Sequence, residues 1–146
     1  MKKLEYKINI NASRQKVWET MLDKETYKQW VDVAWPGSSY EGEWNEGSNL
    51  RFITPDGSGT LVQLVKHKPY EISHAKHIAV LNAGGVEDRE SELAKGWIGT
   101  EETYTFAEAN GETEVKVEID TNPDWAEMFN DAWPKALAKL KELCEG

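Results

Sequence analysis

The stretch "NPDWAEMFNDAWPKALAKLKELC", residues 122–144, decides how the chain folds. Asn122 offers a cap, and Pro123 suits a first helical turn, where a missing donor costs nothing, so a helix is predicted from about Asp124 to Cys144. Trp125, Phe129, Trp133, Ala136, Leu137, Leu140 and Leu143 recur along one face, with Lys135, Lys139, Lys141 and Glu142 mostly away from it. Such a stripe must lie on a broad apolar surface. Pro134 interrupts the pattern, because proline cannot donate to the carbonyl of Asn130 and costs roughly 3 kcal/mol inside a helix. Either the helix bends there, between Phe129 and Leu137, against a curved support, or it begins close to Pro134.

The support lies upstream. From Gly42 to Thr121, runs of alternating polarity are separated by Gly or Asn-Gly turns, the pattern of an antiparallel meander. Strands are predicted near 40–45, 48–54, 59–67, 71–80, 97–107 and 112–120. The turns fall at Asn45-Glu46-Gly47, Asp56-Gly57, Lys68-Pro69 and Asn110-Gly111. At the N-terminus "LEYKINI" (residues 4–10) alternates as a half-buried strand. Ser13 then caps a helix carrying Val17, Trp18, Met21 and Leu22, and Asp23 caps a second presenting Tyr27, Trp30 and Val31. Residues 82–96 are too polar for a strand and read as a solvated connection, with a helical turn at most around Glu90 to Ala94.

A chain of 146 residues is the size of one ordinary domain, and one domain over 1–146 with one sizeable core is expected. With 17 Lys and Arg against 26 Asp and Glu, a formal net charge of -9, it repels polyanions, which argues against nucleic acid and anionic membrane surfaces as partners. The single cysteine, Cys144, forms no internal disulfide, and no apolar run follows Lys2 and Lys3 as a signal peptide requires, so a cytoplasmic address is expected. Seven tryptophans are many for this length. They fit an ordinary core with rings at its rim, or an aromatic-lined cavity.

The two ends of the chain resemble a known family. Ile10, Ala12, Val17 and Trp18 match an Ile-x-Ala-x-x-x-x-Val-Trp start, and Trp30 matches a Trp closing the second helix. Trp133, Pro134 and Leu137 match a Gly-Trp-Pro-x-x-Leu motif in which Ala132 replaces the glycine. These are features of START-like helix-grip (SRPBCC) proteins, and more narrowly of the homologues of the activator of the heat-shock protein 90 ATPase. The resemblance spans essentially the whole chain. It implies an α+β helix-grip fold: a curved antiparallel sheet of six to seven strands, two short helices, and a long C-terminal helix over the concave face.

The resemblance also implies a cavity between sheet and helix, used across the superfamily for hydrophobic ligands such as lipids, sterols and polyketides. Relatives that catalyse cyclisation or hydrolysis inside it are a minority. The expected ligand contacts are Trp30, Trp35, Phe129, Trp133 and Leu137 from the helices and their flanks, and Phe52, Leu64, Trp97, Tyr104 and Val117 from the sheet. An apolar ligand of roughly 15 to 30 heavy atoms in a cavity of about 300 to 1,000 Å³ is expected. The cochaperone after which the family is named carries a further domain for the chaperone, for which 146 residues leave no room. A chaperone partner is therefore not supported by the sequence.

Polar groups for the cavity follow from register. A two-residue loop at Asn110-Gly111 pairs Phe106 with Val115, Tyr104 with Val117 and Glu102 with Ile119, which puts Glu102 on the apolar face unless a bulge turns it to water. Were Ile72, Ile78 and Val80 the inner face of the 71–80 strand, His74 and Lys76 would point inward and either could pair with Glu102. Ala75, His77, Ala79 and Leu81 form a competing face. His74 and His77 point to opposite faces and do not jointly hold a metal, and no cofactor motif or nucleophile triad is recognisable. Three classes of function remain: a carrier or sensor of a small hydrophobic ligand, the reading the residues favour; an enzyme using Glu102 and His74 as acid and base; and a protein-interaction module.

Overall fold

The computed structural model describes residues 2–146. The chain runs through β1 (Lys2–Ile10), α1 (Arg14–Leu22), α2 (Lys24–Asp32), β2 (Ser39–Glu41), β3 (Asn49–Ile53), β4 (Gly59–Lys68) and β5 (Ile72–Asn82). It continues through β6 (Val86–Asp88), α3 (Glu92–Trp97), β7 (Glu101–Ala109), β8 (Glu112–Thr121), a 3-10 turn at Pro123–Trp125 and α4 (Ala126–Glu145). The strands form one antiparallel sheet in the order β1-β8-β7-β5-β4-β3-β2, with β6 attached to β5 beyond the point where β7 ends. This is the α+β helix-grip arrangement, with α4 gripped by a curled sheet.

Local chemistry fixes the first half as read. The Ser13 hydroxyl accepts from the Lys16 amide at 3.2 Å and the Asp23 carboxylate from the Glu25 amide at 3.2 Å, so α1 and α2 start at their caps. The Trp30 indole donates to the Met21 carbonyl at 3.0 Å, and the Tyr40 hydroxyl to the Leu22 carbonyl at 2.5 Å, which ties the helix pair to itself and to β2. Asn110 and Gly111 both take positive φ, 56° and 80°, and set the β7–β8 register that pairs Glu102 with Ile119. One core of buried side chains, including Ile10, Val17, Met21, Leu64, Val117, Leu137 and Leu140, joins α1, α2 and α4 to the inner face of the sheet.

Two stretches differ from the sequence expectation. Residues 82–96 are not a bare loop: they contribute β6 and α3, giving eight strands among the described residues. Gly84 and Gly85 turn the chain at φ 82° and 79°. The Asp88 carboxylate then accepts from the Glu90 and Ser91 amides and the Ser91 hydroxyl, and that hydroxyl caps Ala94 at 3.1 Å. Trp97 consequently ends a helix instead of opening the strand expected at 97–107, which starts at Glu101.

α4 runs unbroken through Pro134, well past its first turn, which excludes a helix beginning there. The proline is exposed while Trp133 beside it is buried, so its ring faces solvent and supports no packing. Pro134→Ala is expected to stabilise the fold by about 1 to 2 kcal/mol, less than the full ~3 because alanine also loosens the unfolded chain. Urea unfolding measures it. A lower midpoint in the variant would mean that the geometry imposed by proline is what seats Trp133.

Candidate functional site

Between the concave face and α4 lies a cavity of about 240 Å³. The α2 helix supplies Tyr27, Trp30 and Val31, the following loop Trp35, Ser38 and Ser39, and the β3–β4 hairpin Phe52, Ile53, Thr54, Gly59 and Thr60. From the other side come His77 of β5, Trp97 of α3, Glu102 and Tyr104 of β7, Ile119 and Asp120 of β8, and Phe129 and Trp133 of α4. The aromatic rings brace one another. Trp133 lies 5.3 Å from Trp35 and 6.0 Å from both Trp30 and Tyr104, centroid to centroid. Tyr27 stacks on Phe52 at 6.2 Å, and Trp97 packs on His77 at 4.8 Å and on Trp125 at 5.3 Å.

Glu102, Tyr104, Tyr27 and His77 of this wall are perturbed by burial. Glu102 sits between Ala75 of β5 and Ile119 of β8, half-buried at the cavity wall. Burial pushes that carboxyl up to about 7, against a smaller lowering by the Tyr104 hydroxyl. Burial likewise raises Tyr104 and Tyr27, and the negative charge of Glu102 adds to both. His77 is driven down to about 4 by burial, partly offset by Asp120, so it is neutral at physiological pH. Asp120 is itself anchored, accepting from the Glu101 amide at 3.2 Å. The indole nitrogens of Trp97 and Trp133 and Nδ1 of His77 are buried without a hydrogen-bond partner among the described residues. Leaving such a group unpaired costs roughly 1 to 3 kcal/mol, so each favours a polar atom inside the cavity.

Of the residues expected from sequence, the structure gathers Trp30, Trp35, Phe52, Trp97, Glu102, Tyr104, Phe129 and Trp133 around the cavity. Leu64, Val117 and Leu137 belong to the packed core and do not line it. His74 and Lys76 face the other way: Ser73 pairs with Tyr104 and Ala75 with Glu102, so His74 and Lys76 alternate outward. Nε2 of His74 lies 3.3 Å from Oε1 of Glu101, and Lys76 is exposed. Glu102 therefore pairs with neither, and the acid–base couple of Glu102 with His74 is not assembled. Ile78 sits at a bulge, where Leu61 pairs with Ala79 and Val62 with His77, and packs on a small separate cluster of Leu61, Ala79 and Leu81.

His77, Tyr27, Thr60, Ile119 and Asp120 line the cavity and were not among the expected contacts. The bulge explains the first. The apolar run Ala75-His77-Ala79-Leu81 is one face in sequence, yet it changes sides after His77, so alternation along β5 alone had no correct reading. Pairing with Glu102, whose own face was legible, carried the signal. The cavity is also smaller than the 300 to 1,000 Å³ expected, because four indoles, those of Trp30, Trp35, Trp97 and Trp133, and their aromatic neighbours occupy the space between sheet and helix. Among the described residues no group of three or more His, Cys, Asp or Glu side chains is placed to hold a metal ion, and no helix is long and apolar enough to cross a membrane.

Comparison with known proteins adds the following. The sequence model of the family described as "Activator of Hsp90 ATPase homolog 1-like protein" matches residues 11–145. A search of the curated proteins finds no match. Among solved structures, the chain is similar to the Aha1 dimer from Colwellia psychrerythraea, with a TM-score of 0.74 and 20% identity over 99% of this chain and 97% of that one. It is similar to DynU16, a protein of the dynemicin biosynthetic locus, with a TM-score of 0.72 and 14% identity over 98% of this chain and 47% of that one. CalU16 from Micromonospora echinospora gives 0.68 and 15% over 97% of this chain and 75% of that one. At these identities the likeness is one of fold.

Proposed function

The chain belongs to the activator of Hsp90 ATPase homolog 1-like family, whose match takes in every residue around the cavity, and from that premise we propose that it binds a small, largely aromatic ligand there as a carrier or sensor. The observation that carries this reading is the cavity itself: an aromatic wall interrupted by three buried, unpartnered polar atoms and one carboxyl of shifted pKa. Its volume, just under the ~300 Å³ at which drug-sized sites begin, sets the occupant at about ten to fifteen non-hydrogen atoms. That lies below the size expected from sequence and meets it only at its lower limit. The place of DynU16 in a biosynthetic locus is in keeping with a fold that handles small molecules. A cytoplasmic location is proposed with it, from the single cysteine and the acidic composition.

The test is a titration with a neutral aromatic probe, 2-naphthol, followed through the indole N–H resonances. At about -0.3 kcal/mol per non-hydrogen atom or better, binding is expected at millimolar Kd or tighter. Trp97 and Trp133 should shift. Trp18, which packs on His67, Tyr70 and Phe106 away from the cavity, should not. Uniform small shifts across all the indoles, or none at millimolar probe, would remove the ligand-binding reading.

One observation favours a second reading. A carboxyl near pKa 7, facing an aromatic-lined cavity beside a tyrosine hydroxyl, is poised for general acid–base catalysis at neutral pH. In this version Glu102 is the acid–base group and Tyr104 the neighbouring donor. Turnover of a bound ligand with a rate that changes around pH 7 is its signature.

A further inference from the structure

The charges around the cavity are one-sided. Among the described residues that line it there are two carboxylates, Glu102 and Asp120, and no lysine or arginine. The one histidine, His77, is packed against Trp97 and uncharged at neutral pH. The faces of aromatic rings carry the negative lobe of their quadrupole, and the ring faces of Tyr27, Trp35 and Trp133 are braced by neighbours instead of being free to turn away. Trp133 is 3% exposed with its indole nitrogen unpartnered, so the wall is a built one and not a surface dimple.

Resting on the ligand-binding role above, we propose that the natural occupant is a small aromatic amine bound as its ammonium ion, with the charged nitrogen on Glu102 and its apolar part among the tryptophans. An anionic ligand such as a fatty acid would bring a carboxylate next to Glu102 and Asp120 with no cation to pair it, at a desolvation and repulsion cost that two indole N–H donors offset only in part. A neutral apolar ligand fits the rings and leaves the carboxyl of Glu102 with the Tyr104 hydroxyl as its one neighbouring donor and no charge to pair it. An ammonium ion satisfies both features through a charge-assisted hydrogen bond and cation–π contact. It would also hold Glu102 ionised in a site where burial otherwise favours its neutral form. The net charge of -9 draws such a cation towards the protein at long range. The indole N–H groups of Trp97 and Trp133 are left to donate to an oxygen on the same molecule or to water entering with it.

Three probes of one shape separate the possibilities at pH 8: 2-phenylethylamine, 2-phenylethanol and phenylacetate, each titrated against the full chain and read from the indole resonances of Trp97 and Trp133. The amine is expected to bind about tenfold more tightly than the alcohol, and phenylacetate more weakly than either. Glu102→Gln should bring amine and alcohol to within about twofold of each other. Glu101→Gln, a carboxylate removed from the outer face beside His74, should leave the preference in place. An amine no tighter than the alcohol, or a preference that persists in Glu102→Gln, overturns the amine inference while binding of the alcohol keeps the ligand-binding role. If none of the three binds, both fall.

Discussion

Trp133→Ala is expected to destabilise the protein by about 3 kcal/mol, at the low end of the 3 to 5 typical of deleting a buried tryptophan. Trp133 packs on Tyr6, Trp30, Trp35 and Tyr104, with ring centroids 5.3 to 6.3 Å away, so it couples β1, α2, the loop after it and β7 to α4. Its indole already borders the 240 Å³ cavity, so fewer contacts are lost than in a closed core. For a chain of 146 residues this corresponds to a fall in Tm on the order of 10 °C. Trp133→Phe separates packing from polarity. It keeps most of the ring and deletes an N–H that has no partner, so it should cost less than about 1.5 kcal/mol. Chemical unfolding of both variants gives the answer. Equal losses would mean that the indole nitrogen is satisfied in solution and that the polar character of the wall has been misread.

Glu102→Gln is expected to stabilise the protein at pH 8 and to leave it nearly unchanged at pH 4. The folded-state pKa is raised from 4.5 to about 7, so between these values the native state holds a proton that the unfolded state has lost. Stability therefore falls as pH rises through this window, and the cost is complete above pH 7. Converted at 1.36 kcal/mol per pKa unit it is at most about 3 kcal/mol, and about 1 to 3 once screening by cavity solvent is allowed for. Glutamine has no such charge. Asp56 and Asp88 work in the opposite sense. Their pKa values, held down to about 2 by hydroxyl and amide donors, add stability that is lost only in strong acid. These contributions are common to both proteins and cancel in the difference. Urea unfolding of wild type and variant at the two pH values measures it, and a gap that does not widen from pH 4 to pH 8 would place Glu102 in water.

The elements that were legible are those whose reasons are local. Ser13 and Asp23 cap α1 and α2 through their own side chains, and Asn110-Gly111 sets a register that runs to Glu102 without reference to anything else. The stripe from Phe129 to Leu143 marks α4 by period alone. β6 and α3 were missed for the converse reason. Their sequence is mostly polar and shows no clear period, and what orders it is a small hydrogen-bonded knot between Asp88 and Ser91, together with pairing to the end of β5. Eight of the nineteen residues that line the cavity were named from sequence, because large aromatics on known faces converge on one space. His74 and Lys76 were misplaced because the faces of β5 carry nearly equal apolar character.

The sequence by itself determined the family, the helix-grip order of elements, the face of β7 that carries Glu102 and the stripe of α4 that covers it, since capping, turn chemistry and periodicity act within a few residues. Only the tertiary structure decided which face of β5 looks inward. That choice is made by pairing: Ala75 lies opposite Glu102, and a bulge at Ile78 then turns Ala79 and Leu81 away while His77 stays inside. The volume of the cavity, the loss of hydrogen-bond partners at Trp97 and Trp133, and the absence of a cation among its described lining residues were decided at the same level. Each depends on how many side chains from distant segments compete for one space, and that competition takes place only once the sheet has curled around α4.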